Sequence, residues 1–349
     1  MQRVHMKHLD NIFTEELNKI AEEQGRELSE TEITDMISEI MPEQSQIIRN
    51  ELNKNTKEML KERRKLSYEF TQRNIQRWKD AFDLLETHIV VCTEAGDDLN
   101  SSCRSTAVEE DDIVFDCLVR HHARACQISQ EILFLLKNGY ADAAHARWRA
   151  LHEVTTTAYF ISKHGKECAE RFYWHDIIES YQGMLEHKKY EDRLNEKAHS
   201  QQQIDQTKQQ YDELITKYGA KFSGHYGWAA YLFPNHRRVG FGAIEKDVGL
   251  EHWRPYYKWA SQNIHAGSKG TRNRLGLTET EEDILLVGQS DAGMTDPAHS
   301  TVISLGQITT QLLMHEPSID NIILINIINE YTKDVGEIFL ATSQKAHNK

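Results

Sequence analysis

Between Asp111 and His164 the chain carries two unbroken stretches of helical period separated by a single Asn138-Gly139 step, and few folds accommodate that pattern. In the first stretch Val114, Leu118, Ala125, Ile128, Ile132 and Leu135 trace one helical face. In the second, Ala141, Ala144, Trp148, Leu151, Thr155 and Ala158 keep the period until His164-Gly165, a basic residue and a glycine placed where a helix should end. A glycine just past the last turn takes the left-handed conformation that closes a helix, so each stretch has a physical stop. Two long helices joined by so tight a turn run antiparallel and side by side. The expected fold class is all-α: a multi-helix bundle around a long antiparallel helical hairpin, with an irregular aromatic-rich insertion.

The flanks agree. Residues 10–90 contain one proline, Pro42, and apolar residues at helical spacing, including Leu52, Met59, Leu60, Trp78, Phe82 and Leu85. The acidic run Glu15, Glu16, Glu22, Glu23, Glu27, Glu30, Glu32 reads as a solvated face. From Glu94 to Asp112, Gly, Ser and Asp suggest a linker or flexible loop, which divides the chain into an N-terminal helical region, 1–105, and a bundle core, 106–349. Further helices are expected over 167–196, through Tyr211 and Leu214 to Gly219, after Trp253 where Pro255 suits a first turn, and over 297–314 and 318–342. The run Ile322 to Ile328 reads as a buried helix, and no internal repeat or strand run is evident.

With 349 residues, 39% of them hydrophobic and 27% charged, the chain can bury a substantial core. A net charge of −13 argues against coating nucleic acid or an anionic membrane with the whole surface, so any such binding must be local. The five cysteines, Cys92, Cys103, Cys117, Cys126 and Cys168, show neither a CxxC pair nor a zinc spacing and fit a reducing compartment. Met1 to Asn11 lacks the apolar core of a signal peptide, and no run reaches membrane-spanning length. A cytoplasmic protein is expected, with no membrane partner.

Candidate chemistry begins on the second hairpin helix. His145, Arg149, His152, Glu153 and Thr156 fall in one band on the face away from Trp148 and Leu151. One reading is a solvated face with an Arg149–Glu153 ion pair. The sharper one has an Arg for phosphate or carboxylate, a Glu able to act as base and two histidines converging on a cleft. Arg147 and His152 also match the Arg-x4-His spacing of the HEPN ribonuclease superfamily, which this chain resembles in being helical. That likeness implies metal-free RNA cleavage, although an i, i+5 pair sits about 140° apart on a regular helix and geometry prefers Arg149 beside His152.

Charge is segregated as well. From Ala220 to Leu275 nine Lys or Arg, Arg237 and Arg238 among them, face three acidic residues, a net +6 in this acidic chain. The same segment holds Tyr226, Trp228, Tyr231, Phe233, Phe241, Trp253, Tyr256, Tyr257 and Trp259. Basic side chains among aromatics suit phosphates and stacked bases, yet the aromatics serve equally as core and the cations as partners of the acidic helices. Ser261 and His265 close the segment's helix, with His265 at the end where a protonated imidazole is favoured. Glu196-x-x-His199 and the His175, Glu179 pair lack further ligands, so neither metal nor other cofactor is expected.

Three stretches in order, Leu136-Lys-Asn-Gly-Tyr140 through Arg149-Ala-Leu-His-Glu153, His225-Tyr-Gly-Trp228, and Tyr257-Lys-Trp-Ala-Ser261 through His265-Ala-Gly267, resemble the bacterial family catalogued as domain of unknown function 5677. The resemblance covers about residues 75–315, leaves the N-terminal helices outside, and implies that Arg149, Glu153, Ser261 and His265 share one pocket. The expectation is a metal-independent RNA- or nucleotide-directed phosphodiesterase, in a bacterial defence or toxin system. Arg149, His152, Glu153 and His265 would be catalytic, and Ser261, Arg147, Arg237, Arg238, Trp228 and Tyr257 would hold the substrate. The alternative is a non-catalytic helical scaffold or ligand-binding module. RNA or nucleotide, a second copy, or a protein are the partners either reading leaves open.

Overall fold

A computed structural model describes residues 7–265 and 267–347, so Met1–Met6 of the N-terminal stretch and Ala266 of the His265-Ala-Gly267 motif lie outside the described residues. The long helices are α1 (Lys7–Gln24), α2 (Glu30–Arg77), α3 (Lys79–Glu109), α4 (Ile113–Lys137), α5 (Ala141–Leu194), α6 (Gln201–Tyr218), α10 (Thr295–Leu313) and α11 (Ile319–His347). Shorter helices α7 (Phe241–Asp247), α8 (Arg254–Gln262) and α9 (Ser268–Arg272) lie among 3-10 turns, and there is no strand among the described residues. The chain divides into two compact units, Met1–Glu69 and Phe70–Lys349.

The larger unit is organised by the hairpin of α4 and α5, whose mutual contact is the most extensive in the molecule. Asp112 caps α4 by accepting from the Phe115 amide at 3.0 Å. At the other end the Tyr140 amide donates back to the Leu135 carbonyl at 2.9 Å while Gly139 sits at φ +79°. That glycine is obligatory twice over, since a Cβ there would come within 2.5 Å of the Phe70 ring and 2.8 Å of the Ser290 carbonyl. The Asn74 amide nitrogen, from the last turns of α2, donates to the Leu136 and Lys137 carbonyls at 2.9 Å each and satisfies the orphan end of α4. Gly165, at φ +70° and ψ −156°, breaks α5 into two helical halves where the His164-Gly165 step places the stop.

Against the hairpin pack α3 and α10, with α11 backing both. Trp78 just before α3 and Phe82, Leu85 and Ile89 of α3 meet Leu118, Ile128 and Ile132 of α4, Trp148 and Leu151 of α5, and Val302, Leu305 and Ile308 of α10 in one core. Register between α5 and α10 is set by polar bonds inside it. The Trp148 indole donates to Ser304 Oγ at 3.0 Å and the Thr155 hydroxyl donates to the Ser304 carbonyl at 3.1 Å. A second core joins both sides of the Gly165 break in α5 (Phe160, Ile161, Cys168, Ile178) to Leu214 of α6, Phe222, Trp228 and Ile244.

Two expectations change. The segment 94–112 is helical to Glu109 rather than a linker, so α3 belongs wholly to the larger unit. Its Ala95, Gly96 and Leu99 are buried, and the His122 ring lies where a Cβ on Gly96 would stand, so the small residues serve close helix approach rather than flexibility. The run Ile322 to Ile328 is helical but only Ile328 is fully buried, because Ile322, Ile323 and Ile327 face outward from α11. The Gln-rich residues 201–210 form the first half of α6, started by a capping box of Ser200 and Gln203. No described helix is long and apolar enough to cross a membrane.

Candidate functional site

The polar band of α5 is a largely covered seam: Arg149 and Glu153 keep 24% and 35% of their side-chain surface, and its other members are buried. His145, His152 and Thr156 have no exposed surface, and α7 and α8 pack against α5. His152 Nε2 and Glu245 Oε1 lie 2.8 Å apart, both essentially without solvent, and Arg254 of α8 pairs with the other Glu245 oxygen. One turn away Arg149 Nε donates to Glu153 Oε1 at 3.1 Å, and the Tyr257 hydroxyl of α8 donates to the same oxygen. The Tyr257 ring joins the two sets of contacts. It stacks near Phe241 at 5.1 Å, and the guanidinium carbons of Arg149 and Arg254 lie 4.8 Å and 5.1 Å from its centroid. Two guanidinium groups, each paired with a carboxylate, thus lie against a single aromatic ring.

Burial, helped by the Glu153 carboxylate, pushes the Tyr257 phenol well above its ordinary range, so the hydroxyl stays a donor. Burial likewise raises the Tyr226 phenol to about 12, in the field of Glu153, Arg149 and Arg254. His145, between the Trp148 and Trp259 rings with neither nitrogen hydrogen-bonded, is lowered to about 4 by burial.

Tyr226 leads outward from this cluster. It packs on Phe241 and lines a cavity of about 540 Å³ formed by Lys221, His225, His236, Arg237, Arg238 and neighbouring backbone, with no acidic residue in its wall. The Lys221 ammonium holds the loop shut by donating to the Pro234 carbonyl at 2.8 Å and the His236 carbonyl at 3.2 Å. The Arg237 and Arg238 guanidinium groups are exposed and make no hydrogen bond or ion pair among the described residues. A wall of cations without a counter-charge favours an anion over a cation.

The expected site residues are distributed as follows. Arg149, Glu153 and Tyr257 do come together, and His152 lies beside them, engaged by Glu245. Ser261 spends its hydroxyl on the Tyr257 carbonyl one turn back, at 2.8 Å. His265 is exposed beyond the end of α8 and its imidazole has no partner among the described residues. Arg147 turns to Glu131 of α4, away from His152, so the Arg-x4-His letters do not form a pair. Trp228 is core, edge-on to Phe160 and Phe172, and borders a different cavity. Arg237 and Arg238 line the basic cavity together with His225 and His236, which the linear sequence did not single out as site residues. Glu245 and Arg254 also escaped notice, since only folding sets an isolated acidic residue of the basic segment against α5. Among the described residues no three His, Cys, Asp or Glu side chains are grouped to hold a metal.

Residues 115–283 match the model of a family of unknown function (DUF5677), and this stretch of the chain is a domain of that family. The match takes in the hairpin, the buried seam and the basic cavity, and leaves out α10 and α11. No curated protein and no solved structure matches the chain.

Proposed function

We propose, on the premise that residues 115–283 are a domain of that family, that the protein is an RNA- or nucleotide-directed phosphodiesterase whose phosphate site is the basic cavity. The observation that supports this reading is the cavity wall itself, in which two uncommitted arginines and two histidines stand with no carboxylate. Arginine suits phosphate because its planar fork matches the oxygens, and histidine is the side chain whose ordinary charge change falls near neutral pH. In this reading His225 or His236 takes the proton of a ribose 2′-hydroxyl as that oxygen attacks phosphorus. The other histidine protonates the 5′-oxygen as the phosphorus–oxygen bond breaks, leaving a cyclic phosphate and a free hydroxyl. Arg237 and Arg238 hold the anionic phosphoryl oxygens through the step.

The test is incubation of the purified protein with RNA in chelator, comparing wild type with His225→Ala, His236→Ala and the paired Arg237→Ala, Arg238→Ala variant. Loss of about 10²-fold or more in kcat for each histidine variant is expected, with weakened RNA binding for the arginine pair. Cleavage unchanged in all three would overturn the assignment. A bacterial defence or toxin setting belongs to the same proposal, since a nuclease of this kind arrests growth on expression and its histidine variants should not. So does a cytoplasmic location, which five free thiols suit.

A second reading rests on the seam. His152 and Glu245 are closed to any substrate, so their pair supports a role in fixing how α7 and α8 sit on α5. Under it the protein is a helical scaffold or binding module, and a wild type that neither cuts nor binds RNA decides for it.

A further inference from the structure

The helix α2 carries an apolar stripe that its own unit leaves open. Ile37, Met41, Ile48, Leu52, Met59 and Leu66 fall within about 40° of one line along the helix. Five of them, all but Ile48, are 39% to 54% exposed. The line is interrupted by polar residues and Ile40, Ile47 and Leu60 are exposed beside it, but soluble proteins rarely leave so many apolar side chains of one helix to water, and a second helix is the form that covers them.

The charge pattern identifies which helix. From Glu30 to Asn53, half of α2, six acidic residues face one basic residue, Arg49, for a net −5. From Lys54 to Arg77, the other half, eight basic residues face Glu58, Glu62 and Glu69, for a net +5. The two halves are equal in length and opposite in charge about the Asn53, Lys54 midpoint. A parallel copy would set acid on acid and base on base along its whole length. An antiparallel copy opposes each half to its complement.

The same midpoint relates the apolar residues. A two-fold axis there brings Met41 of one copy to Leu66 of the other and Ile48 to Met59, so four of the six stripe residues pair with one another in the register that the charges demand, while Leu52 meets Asn55 and Ile37 meets Phe70. We propose that α2 pairs with α2 of a second copy of this chain, antiparallel and centred between Asn53 and Lys54, to form a two-fold dimer. The inference is independent of the phosphodiesterase reading, because it uses only residues of the smaller unit and the helix that leaves it.

The test uses the whole 349-residue chain. Light scattering after gel filtration should give twice the chain mass of 40.5 kDa at micromolar concentration. Charge reversal by Lys57→Glu with Lys61→Glu, or high salt, should raise the dimer dissociation constant at least tenfold, and Ile48→Asp with Met59→Asp should leave monomer. Because those variants bear on the helix as well, pulsed spin-label distances supply a readout in an intact dimer. In a Cys103→Ser background, labels on Met41→Cys should lie roughly 37 Å apart along the axis, and labels on Asn53→Cys within roughly 15 Å of one another. A monomer at every concentration, a dimer indifferent to the paired aspartates, or a Met41 pair as close as the Asn53 pair would each overturn the proposal.

Discussion

Replacing Glu245 with alanine tests whether the buried seam holds the fold together. Glu245 has no solvent exposure and engages two side chains, the His152 imidazole at 2.8 Å with 1% of its side chain exposed, and the Arg254 guanidinium at 27%. Removing one partner of a buried pair costs about 3 to 5 kcal/mol, because the remaining polar groups stay desolvated without compensation. Here the orphans differ. Arg254 is exposed enough to recover water, whereas His152 sits among Trp148, Phe241 and Tyr257 and has no route to it. The expected loss is therefore about 3 kcal/mol, the lower end of that range, and it should belong to His152. Equilibrium urea unfolding of four proteins measures it: wild type, Glu245→Ala, His152→Leu, and the double variant. If the penalty is the stranded imidazole, the double variant should regain at least about 1 kcal/mol relative to the sum of the singles. Additive single losses would refute the coupling, and a Glu245→Ala loss under about 1 kcal/mol would refute the structural weight given to the pair.

Three further outcomes are expected. His88, His122 and His145 are each lowered to about 4 by burial, so they bind fewer protons folded than unfolded. Their stabilisation is complete above the unfolded value of about 6.5 and is lost as pH falls toward 4, which thermal melts across that window should show as a steep decline with no counterpart above pH 7. Gly139→Ala should cost more than Gly165→Ala, since both glycines have positive φ but only Gly139 meets Phe70 and Ser290; denaturation midpoints that fall equally would show that clash plays no part. A thiol reagent should label one cysteine rapidly in the native protein, the half-buried Cys103, because Cys92, Cys117, Cys126 and Cys168 are buried and burial raises their thiols. A fast phase that survives Cys103→Ser would contradict this.

Much of the architecture was legible because helix signals are local. Asn138-Gly139 and His164-Gly165 mark stops that the backbone obeys at φ +79° and +70°, and Pro255 marks the first turn of α8. The failure over 94–112 has the same root. Gly96 and its small neighbours look like a linker in isolation, and only the His122 ring of α4 explains why a residue without a side chain is wanted in mid-helix. Arg149 beside Glu153 was legible, being one turn apart, while Arg147 looked equivalent until Glu131 of α4 claimed it.

The residue order alone determined an all-helical chain, the hairpin at its centre, the segregation of cationic residues into 220–275 and the opposite charges of the halves of α2. Those properties depend on neighbours within about one turn or on simple counting along the chain. What tertiary structure decided is which polar residues meet water. His152 and Glu245 are 93 positions apart, and Tyr257 reaches Glu153 across 104. No local preference specifies such pairs. They exist because α7 and α8 pack against α5, and that packing buries His145, His152 and Thr156 of a band whose spacing alone is equally compatible with a solvated face.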